Sequence, residues 1–211
     1  MQHPIQKLLT PRQLEQRKRV LEYARELLAE QGYDGLQMRV LAERAEVALQ
    51  TLYNRFGKKD DMILAALQEL LAELAQQANA SGKQGVEFVL HNAEVIAGQI
   101  LKTPRYAQAM ALMLFNGQAE SPIVQTLLVN NFHQFLGKIA EMQRQGELTS
   151  QVDAKLLARG LSVAGWSTIL LWMKGLISDT EFKKEYRRAP LIVLAPAMSD
   201  LVLKRYLKYF R

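Results

Sequence analysis

Apolar residues recur every three or four positions along most of this chain, and no stretch shows the two-residue alternation of a half-buried strand. Five such segments cover about 84–101, 104–115, 122–145, 153–175 and 189–210, parted by clusters of Gly, Pro, Asn and Ser. An all-α fold is the expectation. The 211 residues are 49% hydrophobic, enough to bury a sizeable core in one large domain or two small ones. Neither a fixed-period repeat nor a low-complexity tract is apparent, which argues against a solenoid of repeated helical units.

The N-terminal helices are marked by their ends. Thr10, Pro11 and Gln13 supply an N-cap, a proline at the first helical position and the third member of a capping box, so a helix should begin near Pro11. Leu14, Leu21, Ala24, Leu27 and Leu28 give it an apolar stripe, and Gly32 is placed to end it in a left-handed conformation. Short helices at about 38–45 and 49–55 follow, then a long one at about 58–78 with Met62, Ile63, Ala66, Leu67, Leu70, Leu71 and Leu74 turned inward. Ser81-Gly82 and Gly85 interrupt the pattern beyond it, and the seam between two domains is expected inside or just before the end of the long helix. The division is drawn at residues 1–67, with 1–10 as an N-terminal arm, and 68–211.

Between Ala42 and Asp60 two short amphipathic segments flank a tight turn, the sequence form of a helix-turn-helix DNA reader. In the second segment Leu52 and Phe56 stand four apart and face a core, while Gln50 with Asn54 and Thr51 with Arg55 form two further pairs turned outward. Gln and Asn suit adenine, Arg suits guanine, and Thr suits a thymine methyl. The stretch TLYNRF followed by GKKD resembles the DNA-binding segment of the TetR family of transcription regulators. The likeness extends upstream through Ala24, Gly32-Tyr33 and Leu41-Ala42, so that it covers roughly residues 12–67. It implies an N-terminal three-helix helix-turn-helix domain joined to a larger helical-bundle domain that binds ligand and dimerises. It further implies that Tyr53 meets a phosphate, that Lys59 is the lysine just after the reader, and that Arg39 sits at the groove edge. These three position the protein, whereas Gln50, Thr51, Asn54 and Arg55 form the face that reads bases. Two residues depart from the family pattern: Glu46 stands where glycine usually holds the turn, and Ala48 where a small hydroxyl residue usually caps the reader. Each departure costs on the order of 1 kcal/mol, and operator affinity is the property they put at stake.

Eleven Lys and Arg against eight Asp and Glu give residues 1–60 a charge of +3, residues 61–182 carry −3, and residues 183–211 carry +6, for a formal net charge of +6. The N-terminal excess suits phosphate contact, while a basic C-terminal segment is also what a helix dipole favours. The charge-free stretch from Gly160 to Met173 is shorter than the ~20 apolar residues of a membrane span, so no transmembrane helix is expected. The opening MQHPIQKLLTPRQ lacks the apolar core of a secretion signal, and the absence of cysteine removes disulfides and thiolate metal sites. A soluble, cytoplasmic protein is the expectation.

Residues 156–173 carry Leu161, Val163, Trp166, Ile169, Leu170, Leu171 and Trp172 around most of a helix, and a helix apolar all round must be covered on every side. Gly160, Ala164 and Thr168, four apart, form a stripe of small side chains that another helix can approach, and residues 190–210 are also rich in Leu, Ile, Val and Ala. A homodimer through these two helices is expected, with Leu157, Gly160, Leu161, Ala164, Thr168, Leu171, Leu194 and Leu201 at the contact. The other solution is that both helices form the buried centre of a monomeric bundle. A dimer would carry two readers into successive major grooves roughly 34–36 Å apart, on a pseudo-palindromic operator. The family resemblance also implies release from DNA when a small molecule shifts the dimer geometry. Tyr106, Met110, Met113, Phe115, Phe132, Phe135 and Trp166 are the candidates to line an apolar cavity. His91, Asn92, Asn116 and His133 would be its polar groups, which suits a hydrophobic effector.

Catalytic signals are thin. His3, His91 and His133 are far apart, and neither a metal-ligand pair at helical spacing nor a Gly-rich phosphate loop is present. The adjacent Asp60 and Asp61 suit the first turn of a helix better than a metal. No catalytic residue, metal ligand or cofactor is assigned, and no enzyme is expected. The sequence reads as a homodimeric regulator of the TetR type, a repressor on double-stranded operator DNA relieved by a small molecule. The competing reading is a helical bundle that binds a hydrophobic ligand or a protein partner, with a helix-turn-helix degenerate at Glu46 and Ala48.

Overall fold

The computed structural model describes residues 10–210, so His3 and all but the last residue of the expected arm lie outside the described residues. The chain divides into two compact units, residues 1–70 and 71–211.

The first unit holds α1 (Pro11–Gly35), α2 (Met38–Arg44), α3 (Leu49–Phe56) and the first half of α4 (Lys59–Asn79). The capping box forms: the Gln13 amide donates to Thr10 Oγ1 at 3.3 Å, and the Thr10 amide donates to Gln13 Oε1 at 2.9 Å. α1 breaks at Gly32, where φ is 69° and ψ −172°. Its inward row is Val20, Leu21, Ala24, Leu27 and Leu28, whereas Leu14, expected in that row, is exposed. Buried with them in the unit are Leu41 of α2, Leu52 and Phe56 of α3, and Met62, Ile63, Ala66 and Leu67 of α4. At the start of α4, Asp60 and Asp61 occupy the first turn, and Asp61 Oδ2 accepts the Lys58 amide at 2.9 Å. Among the described residues no cluster of three His, Asp or Glu could hold a metal ion.

The second unit holds α5 (Gly85–Lys102), α6 (Pro104–Asn116), α7 (Pro122–Val124), α8 (Asn131–Arg144), α9 (Ala154–Met173), α10 (Asp179–Leu194) and α11 (Asp200–Tyr206). α10 lies along both α9 and α5, and α8 lies along α9. One apolar cluster gathers Val89, Ile139, Met142, Leu157, Leu161 and Leu194, and another gathers Ala97, Ala111, Ile169, Trp172 and Phe182. Among the described residues there is no strand, only an isolated bridge between Leu148 and Met198.

Two of the expected helices are drawn differently. The segment 122–145 is interrupted by a π-helical stretch, Gln125–Asn130, which winds an extra residue into the turn and separates α7 from α8. The segment 189–210 is not one helix. Ser178 and Glu181 form a second capping box that opens α10 at Asp179, ten residues before the apolar pattern begins at 189, so Pro190 falls inside a helix and not at its start. Short 3₁₀ turns at Ala195–Ala197 and Leu207–Tyr209 then flank α11. α9 is long and apolar enough to cross a membrane by length and composition, with a mean hydropathy of 1.3, because Lys155 and Arg159 at its start interrupt the run without ending the helix. A third of that stretch is buried within the protein.

Candidate nucleic-acid interface

α2 ends in a Schellman motif, and that motif is the turn of the helix-turn-helix. The Glu46 amide donates to the Glu43 carbonyl at 3.2 Å and the Val47 amide to the Ala42 carbonyl at 3.0 Å. This wrapping requires left-handed backbone at Glu46, whose φ of 54° is the one positive value at a non-glycine among the described residues. The same pair of bonds ends α8 at Gly146 and α9 at Gly175, where no Cβ opposes it. Arg19 Nη2 donates to the Ala45 carbonyl at 3.3 Å and ties the turn to α1. Arg44 pairs with Glu26 at 2.8 Å and Glu30 at 3.0 Å, which fixes α2 against α1. Sequence reasoning had not marked Arg19 or Arg44, since only the fold brings α1 beside the turn. Ala48 caps α3 with no side-chain bond, so the reader begins on backbone contacts alone.

α3 buries Leu52 and Phe56 and leaves Gln50, Tyr53, Asn54 and Arg55 exposed, with Thr51 half-buried. Gln50 Nε2 donates to Asn54 Oδ1 at 2.9 Å, one helical turn apart. Arg55 Nη1 donates to Gln16 Oε1 of α1 at 2.8 Å, so its guanidinium is held at the edge of the face. Arg39 pairs with Glu43 at 3.3 Å, but both are strongly exposed and the pair contributes little. Lys59 places its Nζ 4.0 Å from the centre of the Tyr33 ring, and the Tyr33 hydroxyl donates to Asp60 Oδ1 at 2.6 Å. That bond to a carboxylate, more than burial, raises the Tyr33 hydroxyl above its ordinary pKa. The outward face of α3 therefore carries amide donors and acceptors beside one guanidinium, with no acidic side chain on the helix itself.

The other expected sites fare differently. Leu157, Leu161, Thr168 and Leu194 are buried within the chain's own fold. The small-residue stripe is likewise filled from within: a Cβ on Gly160 would come 2.8 Å from Val193 Cγ1 of α10. Ala164 is half-buried, while Leu171 and Leu201 are exposed. The apolar row that α9 leaves uncovered is instead Leu156, Val163, Leu170 and Leu171. Of the residues expected around an apolar cavity, Tyr106 and Met110 are core, and His91, Met113, Phe132 and Trp166 are half-buried. Phe115 and His133 are exposed, and Phe115 stands edge-on to Trp166 at 6.3 Å. A cavity of about 360 Å³ lies elsewhere, bordered by Glu94, Tyr209 and the basic face of α10, and none of those eight residues borders it.

A turn of this geometry between a packed helix and a polar, exposed one, in a small unit followed by a larger helical unit, defines a helix-turn-helix transcription regulator. Residues 20–66 match the family of bacterial regulatory proteins described as the tetR family. Over 180 residues the chain is 27% identical to the HTH-type transcriptional repressor KstR of Mycobacterium tuberculosis, covering 82% of this chain and 77% of that one. In fold it is similar to the fatty acid degradation regulator FadR of Bacillus halodurans, with a TM-score of 0.72, 18% identity and coverage of 89% and 97%. It is similar also to a TetR transcription regulator of Haloarcula marismortui, with a TM-score of 0.71, 17% identity and coverage of 88% and 100%. Residues 20–66 place the helix-turn-helix of this chain in the TetR family of transcription regulators.

Proposed function

We propose that the protein is a cytoplasmic repressor that binds a pseudo-palindromic operator as a homodimer and releases it when a small molecule occupies the C-terminal unit. Residues 1–67 act as the reader, and residues 68–211 hold the effector and the dimer contact. The observation that carries the reading is the Gln50–Asn54 bond on the exposed face of α3. It leaves Gln50 Oε1 as an acceptor and Asn54 Nδ2 as a donor, the complement of the N6 donor and N7 acceptor of adenine in the major groove. Arg55 beside them suits guanine and Thr51 a thymine methyl, while Tyr53, Arg39 and Lys59 serve the phosphates. The dimer contact is the uncovered row of α9, with exposed Ile192 of α10 beside it in character. Its occupant is a second copy of the chain, as two readers on a palindrome require.

The test is selection of bound fragments of the source genome with the purified protein, titrated at two salt concentrations. A recovered pseudo-palindrome, bound tightly and with a steep salt dependence, is the expected result. Weak binding alike for all fragments would overturn the reading in favour of a bundle whose helix-turn-helix is no longer used on DNA.

A further inference from the structure

The basic C-terminal charge is not spread along a solvated tail. Lys183, Lys184, Arg187 and Arg188 fall within six residues of α10, and the groove they border has a volume of about 360 Å³, the size of a small-ligand pocket. Thr180, Lys183, Lys184 and Arg187 follow the three- and four-residue spacing of one helix face.

The floor of the groove is built. Arg187 Nε lies 2.7 Å from Glu94 Oε1 of α5, and the other oxygen of Glu94 lies 3.6 Å from His91 Nδ1. Arg187 Nη2 donates to the Tyr209 hydroxyl at 3.2 Å, and its guanidinium stands 4.9 Å from the centre of the Tyr209 ring. Glu94 thus balances Arg187. Lys183 and Lys184 have no carboxylate within 4 Å among the described residues, although both border the same groove. Lys184 also faces the Glu181 carboxylate one turn back along α10, yet four cationic side chains border the groove against the single carboxylate of Glu94, and with a threonine hydroxyl beside them they favour a multiply charged anion over a monocarboxylate. A phosphate ester carries about two negative charges at neutral pH, and a diphosphate carries more.

We propose that this groove binds the phosphate moiety of a small phosphorylated molecule, through Lys183 and Lys184 with Thr180, on a floor fixed by Arg187. The site stands independently of operator recognition, and DNA plays no part in its test. The probe is inorganic pyrophosphate, titrated into the full chain by calorimetry at low salt. The Lys183→Gln/Lys184→Gln protein is compared with Lys204→Gln/Arg205→Gln, which removes equal charge from α11 outside the groove. Circular dichroism checks that both variants keep the helical content and melting temperature of the parent. The expected result is saturable one-site binding, weakened about tenfold or more in the first variant and less than about twofold in the second. Inorganic phosphate should bind more weakly than pyrophosphate, and succinate more weakly still. Equal weakening in the two variants would show diffuse surface charge and overturn the site, as would the absence of saturable binding. A third arm uses vesicles of phosphatidylglycerol. Vesicle binding lost in the first variant, with no pyrophosphate binding by the parent, would assign the cluster to a lipid surface and overturn the small-molecule reading.

Discussion

Glu46 is the residue whose replacement says most about the turn. Its left-handed backbone costs roughly 1–2 kcal/mol for a residue with a Cβ, and its side chain is exposed, so a glycine there relieves strain without removing packing. Glycine also widens the unfolded ensemble, which takes back about 0.4–1 kcal/mol. Glu46→Gly should therefore stabilise by about 0.5–1 kcal/mol, which for a chain of this size raises the melting temperature by roughly 1–4 °C. The chain carries its own calibration at Gly175, which has φ 68°, the same Schellman bonds and nothing within 4 Å of an added Cβ. Gly175→Ala should lower stability by a similar amount for the opposite reason. Glu46→Gln separates strain from charge, because it keeps the backbone and removes the carboxylate. It should leave the melting temperature within about 1 °C. It should tighten operator binding by about twofold at low salt, as expected for one charge ~10 Å from a phosphate in water. Thermal melts followed at 222 nm and salt-resolved operator titrations read both effects. The reasoning fails if Glu46→Gly lowers the melting temperature, or if Glu46→Gln raises it as much as glycine does.

Four further outcomes are expected. Arg55→Ala should weaken operator binding about tenfold or more while moving the melting temperature little, because the side chain is exposed and loses only its bond to Gln16; unchanged affinity would remove Arg55 from the reader. Ala48→Ser restores an N-cap acceptor and should stabilise by about 0.5–1 kcal/mol in a urea titration, an effect absent if the cap is satisfied some other way. Val163→Asp/Leu170→Asp places two carboxylates on the uncovered row of α9 and should give a monomer by light scattering with its helical content intact; a dimer that survives would move the contact elsewhere. Burial pushes the Tyr186 hydroxyl up from 10 to about 12, so the stability this group lends is complete below pH 10 and lost as pH rises towards 12. Tyr186→Phe should blunt that alkaline loss in melts taken across the range, and an unaltered profile would assign it to another group.

What was legible in the sequence was what local chemistry decides. The capping box at Thr10, the left-handed position at Glu46 and the bare cap at Ala48 are set by a few neighbouring residues, and the structure shows all three. The start of α10 was equally local, written in Ser178 and Glu181, but the hydrophilic run from Lys183 to Arg188 hid it behind the apolar stretch that follows. There the period of apolar residues marks which face of the helix is covered, and the helix itself extends well beyond the covered part. The Ser178 amide and hydroxyl both donate to Glu181 Oε2 and hold the Glu181 carboxyl below its usual range, a trace of how firmly that cap sets the start of the helix.

The expected contact residues on α9 and the side chains it leaves exposed differ for one reason. Apolar character says that a side chain must be covered, yet it does not say whether the cover comes from the same chain or from a second one. Gly160, Ala164 and Thr168 looked like a docking stripe because small residues admit a close helix, and one does approach: the chain's own α10, with Val193 against Gly160. The two kinds of surface respond differently to substitution. A larger residue at Gly160 would collide with Val193 and destabilise the protomer, so a loss of dimer there would report only unfolding. At Val163 or Leu170 the same chemical change meets no packed neighbour within the chain's core, so any effect on association is read on a folded protein. The distinction rests on which face α10 occupies, a fact of tertiary packing that no residue of α9 carries in its own sequence.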